Sequence, residues 1–291
     1  MKELTRTFFF AIITIWAVHF IAFCLISYLP DSSVIALGIF SANNSAADAF
    51  RTSLELRSYS QIFCDLLRFN FGSTLDNVPV ITEILNSSYK TLPRMIVAFG
   101  LVFLAITFSA LFTKADNRET KFEKLSMFGI FLPSFFLPLF IFSLFIISGL
   151  ISYSQGISFS LWIGSTLAIS ITPLFLGYLQ SKRVMRILLQ KPFALQYRSY
   201  GFPEHYVRLK LLRNLIDEIS PTSEKLLTAM LTQIILAESI FNINGIGSLS
   251  VRAVKRSDVN LILGIVLFFS AFIALLRISA IIIRLSNRGW R

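Results

Sequence analysis

Charge is scarce in this sequence: Asp, Glu, Lys and Arg together make 15% of its 291 residues, against roughly 25% in ordinary soluble domains. That scarcity points away from a soluble fold. Histidine and cysteine are scarcer still, with His19, His205, Cys24 and Cys64 the whole complement, which leaves too few partners for a histidine metal cluster, a Ser-His protease or a disulfide framework. No G-x-x-x-x-G-K-[ST] run occurs, so hydrolysis of ATP by this chain itself is not expected. Apolar bulk, by contrast, is abundant: 55% of residues are hydrophobic, 30 of them Phe, and the mean hydropathy is +0.70. This bulk falls into blocks long enough for a helix to cross hydrocarbon, about 20 residues each, without the alternation that barrel strands show. The expected class is an all-α integral membrane protein.

Six blocks read as spanning helices: 8–29, 92–112, 126–150, 159–179, 222–241 and 261–283. The fifth is the weakest, since Glu224 and Lys225 stand near its start, where charged side chains can snorkel to headgroups. The first follows a basic start but is longer than a signal-peptide core and lacks an A-x-A site, so it is read as a retained helix. The net charge of +11 sits between the blocks and reads as an orientation signal rather than as a nucleic-acid footprint. Placing the amino terminus inside puts the larger share of Lys and Arg in inner segments, Lys182, Arg183, Arg186 and Lys191 among them. Both termini are therefore expected in the cytoplasm. Within one membrane domain covering 1–291, two polar segments are too long to be turns: 30–91 outside and 180–221 inside. The outer one holds a mobile-looking Asn/Ala/Ser stretch at 41–48 and helical spacing at 54–69, while Gly201 and Pro203 divide the inner one into two short helices.

Before the last block runs Ala237-Glu238-Ser239-Ile240-Phe241-Asn242-Ile243-Asn244-Gly245-Ile246-Gly247-Ser248-Leu249, followed by Arg256-Ser257-Asp258. This is similar to the E-T-x-F-x-x-P-G-x-G-x-L…R-D pattern of permease subunits of bacterial dipeptide, oligopeptide and nickel ABC importers, with Asn244 where the family usually has Pro. Further pieces resemble the same family: Phe71-Gly72-Ser73-Thr74 with Pro79-Val80, Thr91-Leu92, and Leu132-Pro133-Ser134-Phe135-Phe136.

The resemblance implies an ABC importer type I permease fold in the bacterial inner membrane and no enzymatic activity in this chain. ATP and Mg would be bound by two partner ATPase subunits, a second homologous permease would complete the pore, and a periplasmic or lipid-anchored binding protein would deliver substrate. It also implies an ATPase-coupling helix carrying Tyr197, Arg198 and Gly201, with Arg213 and Asn214 downstream. The stretch 192–201 departs from the usual D-Y-x-R-T-A-x-A-K-G, and Arg213-Asn214 stands one residue closer to the glycine than the family pattern has it. Glu238, Phe241, Gly245, Gly247 and Asp258 would form a periplasmic gate or loop motif. Arg277, an ion within the last block, either faces the pore or a partner's acid or snorkels to the inner interface. Peptide is the leading substrate, a nickel or metal-chelate cargo the alternative, and a passive channel or secondary transporter the reading from another class.

Overall fold

A computed structural model describes residues 2–27, 59–68, 70–113, 120–150, 159–256 and 258–288, and every regular element among them is a helix. In chain order these are α1 (Lys2–Ser27), α2 (Tyr59–Leu67), α3 (Val80–Leu111), α4 (Lys121–Phe131), α5 (Phe136–Ile147), α6 (Phe159–Gln190), α7 (Pro192–Ser199), α8 (Glu204–Ile240), α9 (Ile246–Arg256) and α10 (Val259–Arg288). The stretch expected to be mobile, 41–48, lies outside the described residues.

Among the described residues, four helices are long and apolar enough to cross a membrane: Thr5–Ile26 within α1, α3, α6, and Val259–Ser279 within α10. A fifth follows if α4 and α5 count as one broken span, for they meet at 108°. The block at 126–150 is thus not the straight helix its apolarity suggested. Pro133 lacks an N–H and pushes the residue before it out of the helical region, and Leu132 accordingly sits at φ −68°, ψ 145°. The block at 222–241 is the far part of α8, a 37-residue helix whose first half is rich in charge. Apolarity also understated α3, which begins at Val80, 12 residues before the block at 92–112. The segment 180–221 is helical almost throughout: α6 runs on to Gln190, α7 is a single short helix, and α8 starts at Glu204.

The chain divides into two compact units, one of 1–91 and 242–278, the other of 92–241 and 279–291. In the second, Val102, Ile106 and Ala110 of α3 share a core with Met185, Leu188 and Leu189 of α6 and Val207, Leu211 and Leu215 of α8. Small residues let these helices approach, as expected where lipid is as apolar as leucine and close packing must drive association. A Cβ on Gly177 would lie 2.8 Å from Ile106, and one on Gly129 would run into the Phe175 ring. In the first unit, Tyr59 and Phe63 of α2 pack on Trp16, Phe20 and Phe23 of α1. Gly264 of α10 leaves room for Val80, 2.6 Å from where its Cβ would be. Large apolar side chains cover the outside of the helices, Phe131 being 87% exposed, as lipid-facing bulk requires.

Candidate functional site

The turn between α7 and α8 is built by three residues with restricted or permissive backbones. Pro192 starts α7 at a position where no N–H is needed, Gly201 follows its end at φ +80°, and Pro203 sets the entry to α8. Gly201 N donates to Arg198 O at 2.9 Å and Phe202 N to Tyr197 O at 3.3 Å. This is the double-bonded helix end that calls for glycine in the left-handed region, and it brings the expected side-chain contact with it. The Tyr197 and Phe202 rings meet edge to face with centroids 6.1 Å apart, and Phe202 stacks on Tyr206 at 4.8 Å.

Tyr197 and Arg198 are half-buried and brace this turn from within. Arg198 donates from Nε to Glu204 Oε1 at 2.7 Å, from Nη2 to Glu204 Oε2 at 3.3 Å and from Nη1 to Leu189 O at 3.0 Å. One guanidinium therefore ties the end of α6 to the start of α8. Its hydrogen bonds hold the Glu204 carboxyl below the usual carboxylate range. What the turn presents to its surroundings is apolar and aromatic: Leu195, Tyr200 and Phe202 are 53%, 68% and 41% exposed. Arg213 is exposed and Asn214 half-buried farther along α8.

At the other end of α8 the motif turns over a buried ion pair. Arg94 Nη2 of α3 donates to Glu238 Oε1 at 2.7 Å, with the two side chains 1% and 0% exposed. Phe241 closes the helix and inserts beside Gly164 of α6, where a Cβ would lie 2.7 Å from its ring; Phe142 meets it edge to face at 5.0 Å. Asn242 then takes φ +51°, a conformation Asn tolerates better than most. Gly245 N donates to Ser248 Oγ at 3.0 Å, and Ile246 N, beside the buried Gly247, donates to Thr91 Oγ1 at 3.0 Å. Asn244, standing where the family pattern has Pro, accepts from Arg252 Nη1 at 3.1 Å.

Asp258 is buried and bonds in two directions. Its Oδ1 accepts from Leu261 N at 3.1 Å, capping α10, and its Oδ2 accepts from Leu75 N at 2.9 Å. Asn260 Nδ2 adds a bond to Ser73 O at 2.9 Å, and Arg256 pairs with Asp76 at 2.6 Å. Two segments nearly two hundred residues apart in sequence, 71–80 and 256–260, are thereby fastened together. Arg277 lies exposed on α10.

Sequence reasoning missed three polar anchors. Arg94 is a base inside one apolar block, and the available signal for its role was an acid, Glu238, inside another. Glu123 Oε1 accepts from Arg186 at 2.7 Å with Lys182 Nζ at 3.7 Å, while its backbone and Thr120 form a capping box that starts α4. Gln233 of α8 donates to Ser134 O at 3.2 Å, in the break between α4 and α5, and to Thr172 Oγ1 of α6 at 2.8 Å. A broken helix in a membrane needs such donors for its freed carbonyls. Among the described residues no group of three or more His, Cys, Asp or Glu is placed to hold a metal ion.

The family described as "Binding-protein-dependent transport system inner membrane component" matches residues 105–288, a span that includes the α7–α8 turn and the Glu238–Asp258 motif. Among curated proteins, none matches the chain. Covering more than half of the chain, and agreeing with its several apolar helices, the family match makes this chain a multi-pass inner-membrane component of a binding-protein-dependent ABC importer, a transport subunit and not a catalytic enzyme.

Proposed function

We propose that the chain is the pore-forming half of an ATP-driven peptide importer, coupled through its α7–α8 turn to separate ATPase subunits that bind ATP and Mg. The observation that carries this reading is Gly201 at φ +80° between two helices, with Leu195, Tyr200 and Phe202 exposed around it. A short helix held at a fixed angle and ending in aromatic surface suits a cleft in another protein, where buried aromatic groups dominate binding. Arg198 sets the angle and the exposed side chains fill the cleft. A second, homologous permease completes the pore, and a periplasmic or lipid-anchored binding protein loads it.

On this reading the chain crosses the membrane six times, the bent α4–α5 pair serving as the third crossing and the far part of α8 as the fifth. Both termini and the α7–α8 turn face the cytoplasm, and the segments 30–91 and 242–259 face outward. Closure of the ATPases moves the turn, and the packed helices above it switch between two arrangements, giving alternating access. The test is reconstitution with the partner permease, ATPases and binding protein. Hydrolysis should rise when the binding protein carries peptide, and uptake should require ATP. Stimulation by a nickel chelate but not by peptide would replace the substrate assignment, and uptake by the chain alone without ATP would overturn the importer assignment.

A further inference from the structure

We propose that Arg94 is a positioning residue for transport: its ion pair with Glu238 fastens the far end of α8 to α3, so that displacement begun at the Gly201 turn is delivered to the outer motif. The inference rests on the importer reading above and adds to it the route by which α8 acts. The α8 helix is one continuous element of 37 residues, about 55 Å long, with the Gly201 turn just before it and Glu238 in its last turn. The pair joining it to α3 is 2.7 Å long and fully buried. One turn earlier on α3, Thr91 accepts the hydrogen bond of Ile246 N. Glu238 is thus held by Arg94 of α3, and Ile246, farther along the motif, by Thr91.

The energetics favour a role beyond packing. Taking two charges out of water costs about as much as their attraction returns, so an ion pair at this depth contributes little to stability over a well-packed apolar pair. What it adds is direction and reach. Guanidinium and carboxylate bond in a directed geometry, and their longer-ranged attraction persists over displacements of roughly 0.5–1 Å, across which a van der Waals contact forfeits about a quarter to a half of its well. Pairs of this kind are worth keeping where two elements must move as one. Ser87, Ser88 and Thr91 continue the buried polar side of α3 toward its start, so the helix has donors and acceptors along the side that meets the motif.

The experiment uses the complete importer, with three versions of this chain: wild type, the apolar pair R94M/E238L, and the exchanged pair R94E/E238R. Membrane abundance, ATP-driven uptake, and the ratio of hydrolysis with and without loaded binding protein are measured for each. The apolar pair is expected at wild-type abundance with uptake reduced at least tenfold and the stimulation ratio near one. The exchanged pair should recover at least a third of wild-type uptake. Wild-type uptake in the apolar pair overturns the proposal, as does an abundant exchanged pair that transports no better than the apolar one. Should the apolar pair not accumulate, the exchanged pair decides alone; absence of both from the membrane assigns the ions to folding and overturns the positioning role. A wild-type complex that shows no ATP-driven uptake removes the importer reading, and this proposal with it, whereas a functioning wild type with a functioning apolar pair removes only the proposal.

Discussion

Replacing Gly201 with valine isolates the backbone of the α7–α8 turn from its packing. A Cβ at this position would meet nothing within 4 Å, so steric collision with neighbours contributes nothing to the cost. The whole penalty comes from φ +80°, a region that a β-branched residue enters at a cost of about 1–3 kcal/mol. That strain is relieved only by giving up the bonds from Gly201 N and Phe202 N, which would let the Tyr197–Phe202 contact swing away and change the angle of α7. If the native turn must be present for the ATPases to dock, 1–3 kcal/mol lowers the competent fraction roughly 5- to 150-fold. Membrane insertion should be untouched, because the turn lies outside the candidate spans. The assay pairs immunoblots of membranes with uptake in cells lacking the wild-type copy. Uptake should fall by at least fivefold at unchanged abundance, and Gly201→Asn, which tolerates the left-handed region, should fall less than Gly201→Val. Normal uptake in Gly201→Val, or an equal loss in Gly201→Asn, would refute the backbone argument.

The pair Arg198–Glu204 predicts a pH dependence of the same turn. Because the folded Glu204 carboxyl lies below its unfolded value, its contribution is present above the ordinary carboxylate range and is lost as pH falls through the depressed folded value. Amide exchange of Gly201 and Phe202, corrected for intrinsic rates, should accelerate only at that acid limb, and Glu204→Gln should abolish the step. At the motif, Phe241→Ala should destabilise the purified complex by about 3–5 kcal/mol by opening a cavity beside Gly164, and Gly164→Ala by about 1–3 kcal/mol through overpacking, both read as lower melting midpoints. With Cys64 replaced by serine, a cysteine introduced at Ser45 should react with an impermeant maleimide in intact cells; reaction only after the membrane is breached would invert the proposed topology.

Where apolarity alone decides structure, the sequence was readable. The blocks at 159–179 and 261–283, and the described part of the block at 8–29, fall within α6, α10 and α1 because nothing in them but lipid-compatible bulk competes for the outcome. Elements stabilised by something else were understated. The first turns of α3 carry Ser87, Ser88, Lys90 and Thr91, which hydropathy reads as loop; Ser88 and Thr91 instead bond back to Ile84 O and Ser87 O. The charged first half of α8 hid the fact that one helix continues from the turn to the motif. The break at 132–135 falls inside the apolar block 126–150 and is marked there by Pro133, but its consequence depends on a donor, Gln233, 99 residues away from Ser134. The motif pattern singled out Gly201, Glu238 and Asp258, but not the contacts they make. Asp258 caps the next helix, a local role its position suggests, and also holds Leu75 N across 183 residues, which no local pattern encodes.

The separation of Arg94 from Glu238 also constrains how the protein is made. The two lie 144 residues apart, so at ~5–20 residues per second the ribosome needs roughly 7–30 s after adding the arginine to add its counter-ion. During that interval the segment carrying Arg94 would enter the bilayer with a lone cation, at a cost of about 2.5–3.5 kcal/mol on the insertion scale. Biogenesis must therefore either leave this segment waiting in the insertion machinery or let the guanidinium reach the headgroups until α8 arrives. Truncated nascent chains should show the change: α3 weakly inserted when synthesis stops before Glu238, and firmly inserted once it has been added.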